Sequence, residues 1–127
     1  MNRVLASALL TAAIVVLAAC SAGSSNRTAA SSVDPDALKI TAKDLAFSTS
    51  TLSAPAGKPF QIAFDNQDTA PHNVAIYRDR SAAEKVFGSD LFSGPGVVRY
   101  DVPALAPGIY FFRCDVHPNM SGQLTVG

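Results

Sequence analysis

An excess of charge of either sign is missing from this 127-residue chain: ten basic residues face ten acidic ones. No basic surplus points to nucleic acid, and no run of like charge points to a polyelectrolyte partner. A hydrophobic run of membrane-spanning length is also missing. The longest, Val4 to Ala19, has 16 residues interrupted only by Ser7 and Thr11, whereas a span needs about 20. Cysteine is scarce, with Cys20 and Cys114 alone, so a framework of several disulfides is excluded. There are two histidines, two methionines and no internal repeats. Composition and length leave room for one domain, and a folded part of about 90 residues would bury roughly 60–65% of its unfolded surface.

The N-terminus carries an address. Asn2-Arg3 is a short basic start, and the apolar run after it has the length of a signal-peptide core. Leu17-Ala18-Ala19-Cys20 resembles the lipobox of bacterial lipoproteins. That resemblance implies cleavage before Cys20 and lipid on Cys20. The alternatives are an ordinary secretory signal cut after Ala19 or Ala22, or an uncleaved anchor. Residues 20–35 hold no large apolar side chain before Val33 and are expected to form a flexible tether, so the folded domain should occupy 36–127. Loss of Arg3 with the leader leaves nine basic against ten acidic residues. The expected location is the extracytoplasmic face of a bacterial membrane, the periplasm or the cell exterior, with the domain held by its lipid.

Residues 36–127 read as short strands between Pro/Gly turns, the pattern of an all-β sandwich. Leu38–Lys43 alternates, turning Leu38, Ile40 and Ala42 inward, and Phe60–Phe64 alternates with Phe60, Ile62 and Phe64 inward. Ser53–Pro59 is a turn-rich connection and Asp65–Asp68 a polar turn. His72, Val74 and Ile76 share one face of a strand by the period of two. Val97–Val102, Ile109–Cys114 and Gln123–Val126 supply further strands. Ser81–Phe87 predicts two helical turns, with Ser81 as N-cap and Glu84 three residues on.

The chemistry concentrates near the C-terminus, in Cys114-Asp115-Val116-His117-Pro118-Asn119-Met120, with Pro71-His72-Asn73 lying 42 residues upstream of the cysteine. If Cys20 carries lipid, Cys114 is a lone thiol in an exported protein, which points to a reactive or metal-bound sulfur. Cys114 ends a strand with aromatic neighbours on its face, and the loop to Met120 can gather Cys114, His117 and Met120 about one point, with His72 arriving from another strand end. A thiolate, two imidazoles and a thioether are the donors of a blue-copper centre. Zinc also takes two histidines and a cysteine, but structural zinc seldom uses methionine, and Asp115 should point away from the cluster.

The segment Tyr110–Gly122 resembles the copper loop of cupredoxins of the plastocyanin, amicyanin and pseudoazurin group, and Pro71-His72-Asn73 resembles their first ligand segment. The spacing Cys-x-x-His-x-x-Met is the short-loop form typical of amicyanin. The resemblance covers roughly residues 36–127. It implies a Greek-key β-sandwich binding one type 1 copper ion, with His72, Cys114 and His117 as equatorial ligands and Met120 as the weak axial one. Asn73, with Pro71 beside it, matches the asparagine that braces the ligand loop and hydrogen-bonds near the sulfur. The insertion 78–92 matches nothing transferable. One cysteine in the loop argues against a binuclear centre, and two histidines cannot furnish the second, catalytic copper of an oxidase or nitrite reductase. The implied function is single-electron transfer between redox protein partners by a monomer that is not an enzyme. The alternative is a copper-binding or copper-delivery lipoprotein without a redox partner, which the scarcity of methionine weakens.

Overall fold

The structure is a computed structural model and describes residues 34–127. The expected leader over 1–19, Cys20 and most of the tether lie outside the described residues. Among those described, no helix is long and apolar enough to cross a membrane.

Eleven strands follow in order: β1 (Leu38–Lys43), β2 (Ala46–Phe47), β3 (Thr51–Ala54), β4 (Phe60–Asn66), β5 (Pro71–His72), β6 (Ala75–Tyr77), β7 (Lys85–Gly88), β8 (Phe92–Ser93), β9 (Gly96–Val102), β10 (Gly108–Arg113) and β11 (Ser121–Val126). One sheet runs β2-β1-β4-β9 and the other β3-β11-β10-β6-β7, with β5 and β8 paired separately. Both large sheets are mixed, since β1 lies parallel to β4 and β3 parallel to β11.

Alternation decides which side chains meet. Along β4, Phe60, Ile62, Phe64 and Asn66 are buried and the residues between them only partly so. Ile40 and Ala42 from β1 join them, and Ile76, Tyr110, Phe112, Leu124 and Val126 answer from the second sheet. The core therefore lies between the sheets, held together by burial of apolar area. Phe47 packs against Phe64 edge-on and against Phe112, with ring centroids 6.3 and 5.8 Å apart, and so links the two layers. Phe111, on the opposite face of β10, forms a smaller cluster with Ala75 and Tyr77.

Several expectations need correction: β3 takes Ser53 and Ala54 from the expected turn-rich connection, and β4 takes Asp65 and Asn66 from the expected polar turn. Ser81–Phe87 is not helical: Lys85–Gly88 is strand β7, paired antiparallel with β6. Ser81 does not start a helix because Ala82 turns to φ 54° and the Arg78 N–H donates to the Glu84 carbonyl at 2.9 Å, closing a loop. The β-forming Val86 and Phe87 then gain a partner strand, and tertiary pairing overrides a weak local signal. The strand expected through His72, Val74 and Ile76 is broken. β5 pairs with β8 and β6 with β10, and Asn73 and Val74 lie between them; every residue from His72 to Tyr77 is buried, with Val74 and Ile76 in the main core and Ala75 and Tyr77 in the smaller cluster.

Candidate metal centre

β10 carries the sulfur to one end of the sandwich. Tyr110, Phe112 and Cys114 alternate into the core, and the strand ends at Arg113, so Cys114 sits where the core meets the connecting loops. The chain then reverses within six residues. The Met120 N–H donates to the His117 carbonyl, and the Cys114 N–H to the Met120 carbonyl, both at 2.9 Å. These two bonds close the loop over Cys114 and lead Met120, 1% exposed, back into the same core.

His72 arrives from β5, fully buried, and His117 from the loop, partly exposed. Their Nδ1 atoms lie 3.1 Å apart, and each is 3.8 Å from Cys114 Sγ. The rings meet at 60° with centroids 4.8 Å apart. Among the described residues this is the one group of three or more His, Cys, Asp or Glu side chains whose donor atoms all lie within 4.8 Å. The structure thus brings together His72, Cys114 and His117, and puts Met120 in the core beside Cys114.

Which nitrogen of His72 faces the cluster follows from its other neighbour. Nε2 lies 3.0 Å from Asp68 Oδ2. An ionised carboxylate only accepts, so Nε2 carries the proton and Nδ1 presents a lone pair to the cluster. The N–H groups of Leu45 and Asp44, and His72 beside them, hold the Asp68 carboxyl below its ordinary value.

Asn73 braces the loop. Its Oδ1 accepts the Asp115 N–H at 2.8 Å, and its Nδ2 donates to Asp115 Oδ2 and to the Ser89 carbonyl, both at 3.2 Å. Asp115 points away from the cluster. Its carboxylate takes the Tyr77 hydroxyl on Oδ1 and Lys85 Nζ at 2.6 Å on Oδ2. Burial pushes its carboxyl up, but the bonds from Lys85, Tyr77 and Asn73 outweigh that and bring it down to about 2. Pro71 is exposed and pairs with Ser93, while His72 pairs with Phe92.

Asp115 is therefore engaged elsewhere and Asp68 lies behind His72, so the converging donors are a sulfur and two imidazole nitrogens, with Cys114 and His72 fully buried. A soft sulfur with two imidazoles, and a buried thioether on the same loop, fits one copper ion.

Sequence reasoning missed Asp68, Asn66 and Ser89. Asn66 is fully buried; its Nδ2 donates to the carbonyls of Ala70 and Phe92, and its Oδ1 accepts the Asp68 N–H. Ser89 Oγ accepts the Val74 N–H at 3.0 Å. The spacing Asn66-x-Asp68 is a signal for a side-chain-capped turn, but nothing local says that the turn will meet His72.

Residues 9–126 match the cupredoxin-like domain family. The chain belongs to that family. No curated protein matches it. Its fold is the cupredoxin-like fold of several solved structures. Auracyanin from Roseiflexus castenholzii, in its dithionite-reduced form, aligns with TM-score 0.64 and 19% identity over 72% of this chain and 96% of its own. Auracyanin A from Chloroflexus aurantiacus, described as a "blue" copper protein, aligns with TM-score 0.64 and 22% identity over 72% of this chain and 98% of its own. Amicyanin from Paracoccus versutus gives TM-score 0.57 and 23% identity over 76% of this chain and 86% of its own. The cupredoxin-like fold expected from the sequence is the one observed.

Proposed function

We propose that this cupredoxin-like protein is a blue copper electron carrier, with His72, Cys114 and His117 as the principal ligands and Met120 as the weak axial one. The observation that carries the reading is the convergence of His72 Nδ1, His117 Nδ1 and Cys114 Sγ, from two strand ends and the loop between β10 and β11, into one cluster. Copper bound there would cycle between Cu(II) and Cu(I), one electron at a time.

The chain's own part is to hold donors still. His72 is locked by Asp68 and Cys114 by the strand before it. Asn73 ties the ligand loop to the first ligand segment, so little rearrangement should accompany a change of charge. Burial of His72 and Cys114 excludes water, while partly exposed His117 offers the edge through which an electron would pass. Ala70, Pro71 and Pro118 would rim that edge, a small surface suited to transient contact with a redox protein donor or acceptor.

The same reading places the protein at the extracytoplasmic face of a bacterial membrane, held by lipid on Cys20, with residues 20–35 as tether and 36–127 as the working domain. It is read as a monomer without enzymatic activity. Burial argues against copper delivery, since exchange would require the closed ligand loop to open. Mixing the oxidised, copper-loaded protein with a reduced small redox protein tests the function. Electron exchange within milliseconds to seconds is expected. Copper uptake without electron exchange would favour the delivery reading instead.

A further inference from the structure

The hairpin between β1 and β2 has two central residues, and both adopt positive φ: Asp44 at 53° and Leu45 at 56°. Such turns favour Asn-Gly or Asp-Gly, and a leucine there is strained by roughly 1–2 kcal/mol. Its conformation turns two successive N–H groups onto one carboxylate. Asp44 donates to Asp68 Oδ1 at 2.8 Å and Leu45 to Oδ2 at 3.1 Å. Consecutive backbone N–H groups of this kind form an anion-binding concavity. The Asp68 backbone is fixed as well, through the buried Asn66 side chain. The carboxylate so held accepts the His72 Nε2 proton at 3.0 Å.

We propose that Asp68 is a positioning residue for the metal centre, fixing the His72 tautomer and adding a negative charge that favours Cu(II) over Cu(I). The inference rests on the copper reading above. A carboxylate behind a ligating histidine sets the ring's orientation and makes the imidazole a stronger donor. Cu(II) carries one more positive charge than Cu(I), so an anion beside the ligand stabilises the oxidised form more and lowers the reduction potential. His72 is fully buried and the Asp68 side chain only 17% exposed, so solvent screens this charge poorly. The hairpin at 44–45, well separated in sequence from the ligands, thereby sets a property of the centre.

The test replaces Asp68 in the full-length protein. Asp68→Asn keeps the shape and one carbonyl oxygen, which in the Oδ2 position still accepts the Leu45 and His72 protons; it removes the charge and the acceptor for the Asp44 N–H. Losing such a partner typically costs about 10–100-fold in metal affinity. The loss should fall on Cu(II) more than on Cu(I), and each tenfold change in their ratio raises the potential by about 59 mV. The variant should stay blue with a higher potential. Equal potentials in copper-loaded wild type and Asp68→Asn overturn the inference and leave the copper site standing. A wild-type protein that takes up no copper overturns both. Nitrogen NMR of metal-free wild type provides a readout independent of copper and of the variant's folding. His72 should carry its proton on Nε2, and a proton on Nδ1 overturns the inference.

Discussion

Asn73 and Asp115 are 42 residues apart in sequence, yet the Asn73 Oδ1 accepts the Asp115 N–H at 2.8 Å. This bond ties the first ligand segment to the ligand loop, one residue beyond His72 and one beyond Cys114. Asn73 is 5% exposed and its amide also holds the Ser89 carbonyl, so truncation leaves several polar groups without partners. Asn73→Ala should therefore lower the stability of the metal-free protein by about 1–3 kcal/mol in urea denaturation. A change no larger than that of an ordinary surface substitution, about 0.5 kcal/mol, would mean the bond does not brace the loop.

Asp115 makes stability depend on acid. Its carboxyl lies at about 2 in the folded protein against an ordinary value of 3.8. A depressed folded value contributes stability that is complete above the unfolded value and lost as pH falls through the folded one. At about 1.4 kcal/mol per unit the contribution is about 2 kcal/mol, fading between roughly pH 4 and pH 2. The stability gap between metal-free wild type and Asp115→Asn should shrink by about that amount across this window. A gap independent of pH would remove the charge of Asp115 as its source.

Met120 should set the potential more than it holds the metal, because an axial ligand at such a centre is long and weak. Met120→Gln is expected to keep copper and lower the reduction potential in voltammetry. Complete loss of copper would make Met120 a principal ligand.

Cys20→Ala should either leave the leader attached or release the protein from the membrane fraction. One acyl chain anchors only marginally and stable attachment takes more, so membrane retention reports on the modified cysteine. Normal processing with unchanged retention would contradict lipidation at Cys20.

Much of the sandwich was legible because one face of each strand is buried. The period of two in Leu38–Lys43, Phe60–Phe64 and Ile109–Cys114 states which side chains enter the core, and the structure puts them there. The centre was legible for a different reason. Histidine, cysteine and methionine are so scarce here that their clustering at 114, 117 and 120 carried information by itself. Long-range pairing was not legible. Thr51–Ala54 alternates, but the Pro55–Pro59 stretch hid it, and only β11 alongside makes it strand β3. Val86 and Phe87 needed β6 to become a strand rather than a helical turn. Asp68 looked like one more polar turn residue, since its partners Asp44 and Leu45 lie 24 and 23 residues away. Local chemistry showed which residues could bind a metal, and topology decided which residues support them.

The most direct measurement is the visible absorption spectrum of the copper-loaded, oxidised protein beside that of Cys114→Ser. Charge transfer from the Cys114 thiolate to Cu(II) should make the wild type intensely blue. The serine variant should lose the colour while its circular dichroism stays that of the folded sandwich. A wild type without the blue band, or a Cys114→Ser protein that keeps it, would contradict the assignment of this cluster as a blue-copper centre.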